Sequence, residues 1–204
     1  MRSVVVTLIS VFLLLGFAPA RSAKVNNTAD TTGDTMTYDV DRGVWMASPN
    51  NDQGDITAVR INNGKKAVTI RLTFVKLVPS APTMRNAQYT VGLVTNDGIS
   101  LQVVADMAQN LGNPVATNTN AGNQPVCTPK TTWAFGDNQV TFRFPNRCFK
   151  QIKPNAKHKR VWVSARSKIY TDHHDGSFHR IITDTAYRTG GSNEQWVLGP
   201  GVRR

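Results

Sequence analysis

"DITAVRINNGKKAVTIRLTF", residues 55–74, decides the fold. In its second half Val68, Ile70, Leu72 and Phe74 alternate with Thr69, Arg71 and Thr73. A period of two puts every apolar side chain on one face, which predicts a strand with one buried side. The first half carries a similar run, and Asn63-Gly64 between the two suits a tight turn, so residues 55–77 are expected to form a β-hairpin. Working outward, the pattern recurs. "AQYTVGLVT" (87–95) reaches the turn "NDG" and continues as "ISLQVVAD"; "TTWAF" (131–135) turns through "GDN" into "VTFRF" (140–144). "RVWVSARSK" (160–168) places Val161, Val163 and Ala165 on one side and Arg160, Trp162, Ser164, Arg166 and Lys168 on the other. No stretch carries a helical period with caps. Strands joined by short turns predict an all-β fold: an antiparallel β-sandwich, jelly-roll or immunoglobulin-like, of roughly eight to ten strands.

The N-terminus is a different object. Arg2, the apolar run from Val4 to Phe17 and "APARSA" have the layout of a secretory signal peptide, residues 1–22, cleaved near Ala20 to Ser22. The apolar run is short for a membrane span of about 20 residues. A secreted chain with no stable membrane insertion is therefore expected. Residues 23–38 are polar and aperiodic and read as a flexible leader. Residues 39–204 form a single domain, with a long loop expected between Asp106 and Gln124. The two cysteines, Cys127 and Cys148, would meet an oxidising compartment, where pairing is expected. Their bridge would tie the open ends of the 131–144 hairpin and contribute about 3 kcal/mol in the chain-entropy view.

The net charge is +11, and Glu194 is the sole glutamate. Such a balance favours anionic surfaces. Lys and Arg are dispersed from Arg42 to Arg204 instead of forming a block, so no specific nucleic-acid partner is expected.

"NDQGDITAVRINNGKKAVTIRLTFVKL", a strand ending in "TNDG", "RFPNRCF", "RVWVSAR" and "QWVLGPG" follow one another in an order that resembles a group of secreted actinobacterial β-sandwich proteins. That group is similar to the DOMON and family-9 carbohydrate-binding-module type. The resemblance covers about Asp39 to Val202, and "GDI" at Gly54 to Ile56 matches the acidic Gly-Asp that opens the hairpin there. It implies a sandwich, and says far more of the fold than of the function; relatives of this sandwich type include sugar, haem and calcium binders.

Three stretches carry candidate chemistry. "DHHDGSFH" (172–179) holds three of the four histidines. His173 and His174 are adjacent and diverge in an extended chain, so a metal site would need His174, Asp175 and His179 to converge across the Asp175-Gly176 turn. A solvated connection between two strands explains the same letters. "NNDQGD" (50–55) offers Asn50, Asp52 and Asp55 to calcium, although it lacks the EF-hand spacing and a side-chain-held turn fits equally. No other cofactor is expected. Arg160, Trp162 and Arg166 form an aromatic flanked by cations, which would stack on a sugar ring and bond acidic groups. Arg71 and Arg143 would enlarge that patch if neighbouring strands brought them to the same face. Trp45, Trp133 and Trp196 read as core or edge-sealing residues. With no G-x-S-x-G, H-E-x-x-H or phosphate loop and both cysteines paired, catalysis lacks a signature. The expected protein is a secreted non-enzymatic binding domain for an extracellular glycan, an anionic polysaccharide or a cell-surface wall polymer. The alternatives are a metal-assisted hydrolase using the 172–179 loop, or a structural protein with no small ligand.

Overall fold

A computed structural model of the chain describes residues 25–79, 84–107, 114–172, 178–187 and 197–204. In chain order its strands are β1 (Val25–Ala29), β2 (Met36–Asp39), β3 (Val44–Ala47), β4 (Ile56–Asn63), β5 (Ala67–Phe74), β6 (Met84–Thr95), β7 (Ser100–Asp106), β8 (Ala116–Asn118), β9 (Gln124–Cys127), β10 (Lys130–Ala134), β11 (Gln139–Pro145), β12 (Arg160–Asp172), β13 (Phe178–Thr185) and β14 (Val202–Arg203). Among the described residues one α-helix, α1 (Asn146–Ile152), follows β11. One sheet has the order β1-β4-β5-β11-β10; the other runs β3-β2-β13-β12-β6-β7-β8-β9, with β14 added against β12. The strand pairs are antiparallel. The fold is thus the expected all-β sandwich, with more strands than the eight to ten expected because β3, β8, β9 and β14 have only two to four residues each.

The period of two works as read. Val68, Ile70 and Leu72 on β5 and Val140, Phe142 and Phe144 on β11 are fully buried, as are Val161, Val163 and Ala165 on β12. They meet Tyr89, Val91, Leu93 and Leu101 from β6 and β7 in one core between the sheets. Trp133 packs against this core, edge-on to Tyr89 at 5.6 Å and stacked on Phe135 at 6.0 Å. Trp45 lies 5.0 Å from Tyr38 across the β2–β3 pair. Trp196 lies outside the described residues, as does the expected signal segment.

Several details differ from expectation. The stretch read as a flexible leader contributes β1, which pairs in register with β4 from Val25↔Asn62 to Ala29↔Ala58, and begins β2. Period-2 burial is not needed there because β1 is an edge strand exposed along most of its length. The β4–β5 turn centres on Lys65 and Lys66, with the Gly64 N–H donating to the Ala67 carbonyl at 3.0 Å. Asn63 is instead fully buried, its amide donating to the His158 carbonyl at 3.1 Å and the Val202 carbonyl at 3.2 Å. The expected long loop after Asp106 contains β8 and a 3₁₀ turn at Thr119–Ala121. Helix α1 was not anticipated: seven residues are too short to show a period, and it buries just Cys148 and Phe149. Pro145 ends the β11 ladder and caps it.

Cys127 and Cys148 form the expected disulfide, with a Cα–Cα distance of 5.3 Å. Cys127 ends β9 and Cys148 lies in α1, so the bridge joins the edge of the larger sheet to the segment leaving the smaller one.

Candidate functional site

The structure separates the residues expected to form one patch. Arg160, Trp162 and Arg166 lie on β12 in the larger sheet, whereas Arg71 on β5 and Arg143 on β11 belong to the five-stranded sheet. Trp162 is half-buried and carries its own cation, the Arg160 guanidinium carbon 5.2 Å from its ring centroid. The C-terminal segment covers the pair: a Cβ on Gly201 would stand 2.6 Å from both Trp162 Nε1 and Arg160 Nε. The Gly199 N–H donates to the Val163 carbonyl at 2.8 Å, which seats that segment along β12. Trp162 is thus partly covered, by the Arg160 guanidinium beside its ring and by the C-terminal segment at its Nε1 edge. Of the 172–179 stretch, His173, His174 and Asp175 lie outside the described residues; His179 is placed on β13 by its backbone alone. Asp172 pairs with Phe178 in the β12–β13 ladder.

Arg71 and Arg143 do acquire company on their own sheet. The buried positions of β5 and β11 face the core, so the intervening ones form an outer face of Thr69, Arg71, Thr73, Thr141 and Arg143. β4 places Arg60 directly opposite Arg71, and β10 places Lys130 directly opposite Arg143. All four are exposed, and none is paired with a carboxylate among the described residues. Side chains directly opposed across antiparallel strands have Cβ atoms about 5 Å apart, and like charges there are destabilising. At one end of this face lies an open cleft of about 460 Å³ lined by Lys66, Lys130, Arg143 and Arg147 with Thr128 and Asn146. The Asn146 N–H donates to the Lys66 carbonyl at 3.1 Å, which fixes the β4–β5 turn beside the start of α1. Among the described residues no carboxylate lines the cleft.

The "NNDQGD" stretch resolves differently. Asn50 and Asp52 are exposed, while Asp55 is 2 % exposed and turned inward. There it meets two residues remote in sequence: single carboxylate oxygens of Asp34, Asp55 and Asp184 all lie within 4.8 Å of one another. The main chain holds two of them, the Gly33 N–H donating to Asp55 Oδ2 at 2.7 Å and the Ile56 N–H to Asp184 Oδ2 at 2.6 Å. Asp30 stands beside them, accepting from the Tyr187 N–H at 3.0 Å. Burial, reinforced by the charges of Asp34, Asp30 and Asp55, pushes the Asp184 carboxyl up to about 8. Burial likewise raises Asp30 to about 7 against its bond from Tyr187, with Asp34 adding to the rise. Asp55 is raised in the same way. Local spacing could not reveal this group, since Asp34 and Asp184 meet only through the sheets. The signal present was the repeated Gly-Asp at 33–34 and 54–55, each glycine at a positive φ of +77° or +80°.

No protein-family model matches the chain, and comparison with curated proteins and with solved structures gives no significant match.

Proposed function

We propose that the protein is a secreted, non-enzymatic binding domain that takes an anionic extracellular polymer on the outer face of its five-stranded sheet. One observation carries this reading: Arg60 opposite Arg71 and Lys130 opposite Arg143, all exposed, with Lys66 and Arg147 extending the row around an acid-free cleft. A neutral environment disfavours that arrangement, whereas a chain of carboxylates or sulfates removes the repulsion and gains charge-assisted hydrogen bonds. Arginine suits such groups because its planar fork donates N–H bonds to two oxygens at once. The threonines between the cations, Thr69, Thr141 and Thr132, add hydroxyls able to bond the polymer's polar groups. The described strand positions of this face hold no aromatic ring, so recognition rests on charge and hydrogen bonding and not on stacking.

Retention on an immobilised sulfated or carboxylated polysaccharide tests the proposal. Arg71→Gln/Arg143→Gln should elute at clearly lower salt than the wild type. A charge-matched pair elsewhere, Lys157→Gln/Arg203→Gln, and Trp162→Ala should elute close to the wild type. Equal loss in the two charge-matched pairs would mean that net charge alone governs retention, and the assignment to this face would fall.

A further inference from the structure

The geometry points to a calcium site at Asp34, Asp55 and Asp184, a site independent of the polymer-binding face. Three elements build it: the loop before β2 supplies Asp34, the residue before β4 supplies Asp55, and β13 supplies Asp184. It therefore staples the entry of the five-stranded sheet to the larger sheet.

The proximity of acids would not suffice without a further feature. Asp55 is 2 % exposed, and its Oδ1 is buried with no hydrogen-bond donor. A buried carboxylate oxygen left unpaired is costly, and a second one, Asp30 Oδ2, is buried and donorless beside it. Neither Asp30, Asp55 nor Asp184 is paired with a cation among the described residues. Among the described residues, the charges of Asp34, Asp30 and Asp55, all of one sign, act on Asp184. Like charges gathered out of water need a counter-ion or protons.

The donor chemistry selects the ion. Every ligand-capable atom in the group is a carboxylate oxygen, with neither His nor Cys in it. That set suits a hard cation and not zinc or copper. Calcium takes six to eight oxygens at about 2.3–2.6 Å in adaptable geometry, so two of its ligands stand at most roughly 5 Å apart. The 4.8 Å limit on the oxygen separations falls inside that span. Magnesium dehydrates reluctantly, keeps several waters and is held by one or two carboxylates, so a site of three carboxylates suits calcium better. The main chain is held open for the site: Gly33 and Gly54 precede Asp34 and Asp55 in the left-handed region. At Gly54 a Cβ would stand 2.9 Å from Ile169 Cγ1, so a larger residue would displace the Asp55 backbone.

Calcium chloride added to untagged, chelator-treated full-length protein is the test, read by isothermal calorimetry and by thermal unfolding. One calcium per chain is expected, with Tm rising by about 5–10 °C at a hundredfold excess over Kd. Magnesium chloride should give a weaker response. Asp55→Asn and Asp184→Asn should each weaken calcium binding at least tenfold, while Asp52→Asn, outside the group, binds as the wild type. Folded wild type with no binding heat and an identical Tm in calcium and in chelator would overturn the site. So would an Asp184→Asn variant with undiminished affinity. The wild-type comparison decides the matter even if an Asn variant does not fold.

Discussion

If Arg60 and Arg71 repel one another across the β4–β5 pair, neutralising one should stabilise the fold while weakening retention on the polymer. The perturbation is Arg71→Gln, which keeps most of the aliphatic stem and removes the charge. The two residues are directly opposed in register, and both are exposed. With Cβ atoms about 5 Å apart and flexible stems that splay, we take a guanidinium separation of roughly 6 Å. Two unit charges at that distance in water repel by about 0.7 kcal/mol. In a chain of this size that is a rise in Tm of roughly 2 °C. Urea denaturation at about 20 mM and about 1 M salt is the assay, since a screening length of about 3 Å at the higher concentration removes the repulsion. Stabilisation should appear at low salt and vanish at high salt. Arg60→Gln should behave alike, and the double variant should gain no more than either single one, because each already abolishes the pair. A neutral or destabilised Arg71→Gln at low salt, or a gain that persists at 1 M, would refute the electrostatic reasoning.

Two further outcomes follow from buried groups. Replacing both Cys127 and Cys148 by Ala removes a crosslink spanning 21 residues, and denaturation should show a loss of about 3 kcal/mol; a loss below about 1 kcal/mol would mean that β9 and α1 are held by packing alone. His158 is 2 % exposed and stacks on Phe149 at 4.5 Å, and burial, then the Arg204 charge, hold its imidazole below the usual range despite Asp97 and the Gly64 carbonyl. The unfolded chain therefore takes up the proton first as pH falls below about 6.5, so the stability this group contributes is present above that pH and lost as pH drops through the folded value. His158→Asn, whose side chain tolerates the positive φ of 31° there, should flatten the fall in stability between pH 7 and pH 5 relative to wild type; parallel curves would remove His158 as the cause.

What the sequence disclosed follows from the range of each signal. Alternation such as Val68, Ile70 and Leu72 is local, and burial follows it residue by residue. The disulfide was legible because two cysteines allow one pairing. Which sheet a strand joins is not local: Arg71 and Arg160 look alike on paper, yet β5 and β12 face opposite ways out of the sandwich. The same limit hid Trp162, since its cover at Gly201 arrives from the far end of the chain. At Asn63-Gly64 the hairpin forms as read, with the turn shifted toward Lys65 and Lys66 for another reason. The letters suit a turn, but the buried demand of the His158 and Val202 carbonyls claimed the Asn63 amide first. Asp55 was picked out with the wrong partners, because adjacency suggested Asn50 and Asp52 while the fold delivered Asp34 and Asp184.

The two electrostatic conflicts in this fold differ in kind, and the difference sets what each demands. Arg60 against Arg71 is exposed, where water and salt hold the penalty to under about 1 kcal/mol, so the free protein tolerates it. A partner that relieves it can come and go, as reversible binding requires. Asp55 and Asp184 are 2 % exposed, where screening by water is lost and an unpaired charge costs several times more. A group so placed does not await an occasional visitor; it holds an ion or protons whenever the chain is folded. Local conflicts of this sort, in a sequence whose strands, turns and core agree with one another, are where functional sites are expected. On the two proposals made above, the exposed conflict would serve recognition and the buried one the joining of the two sheets.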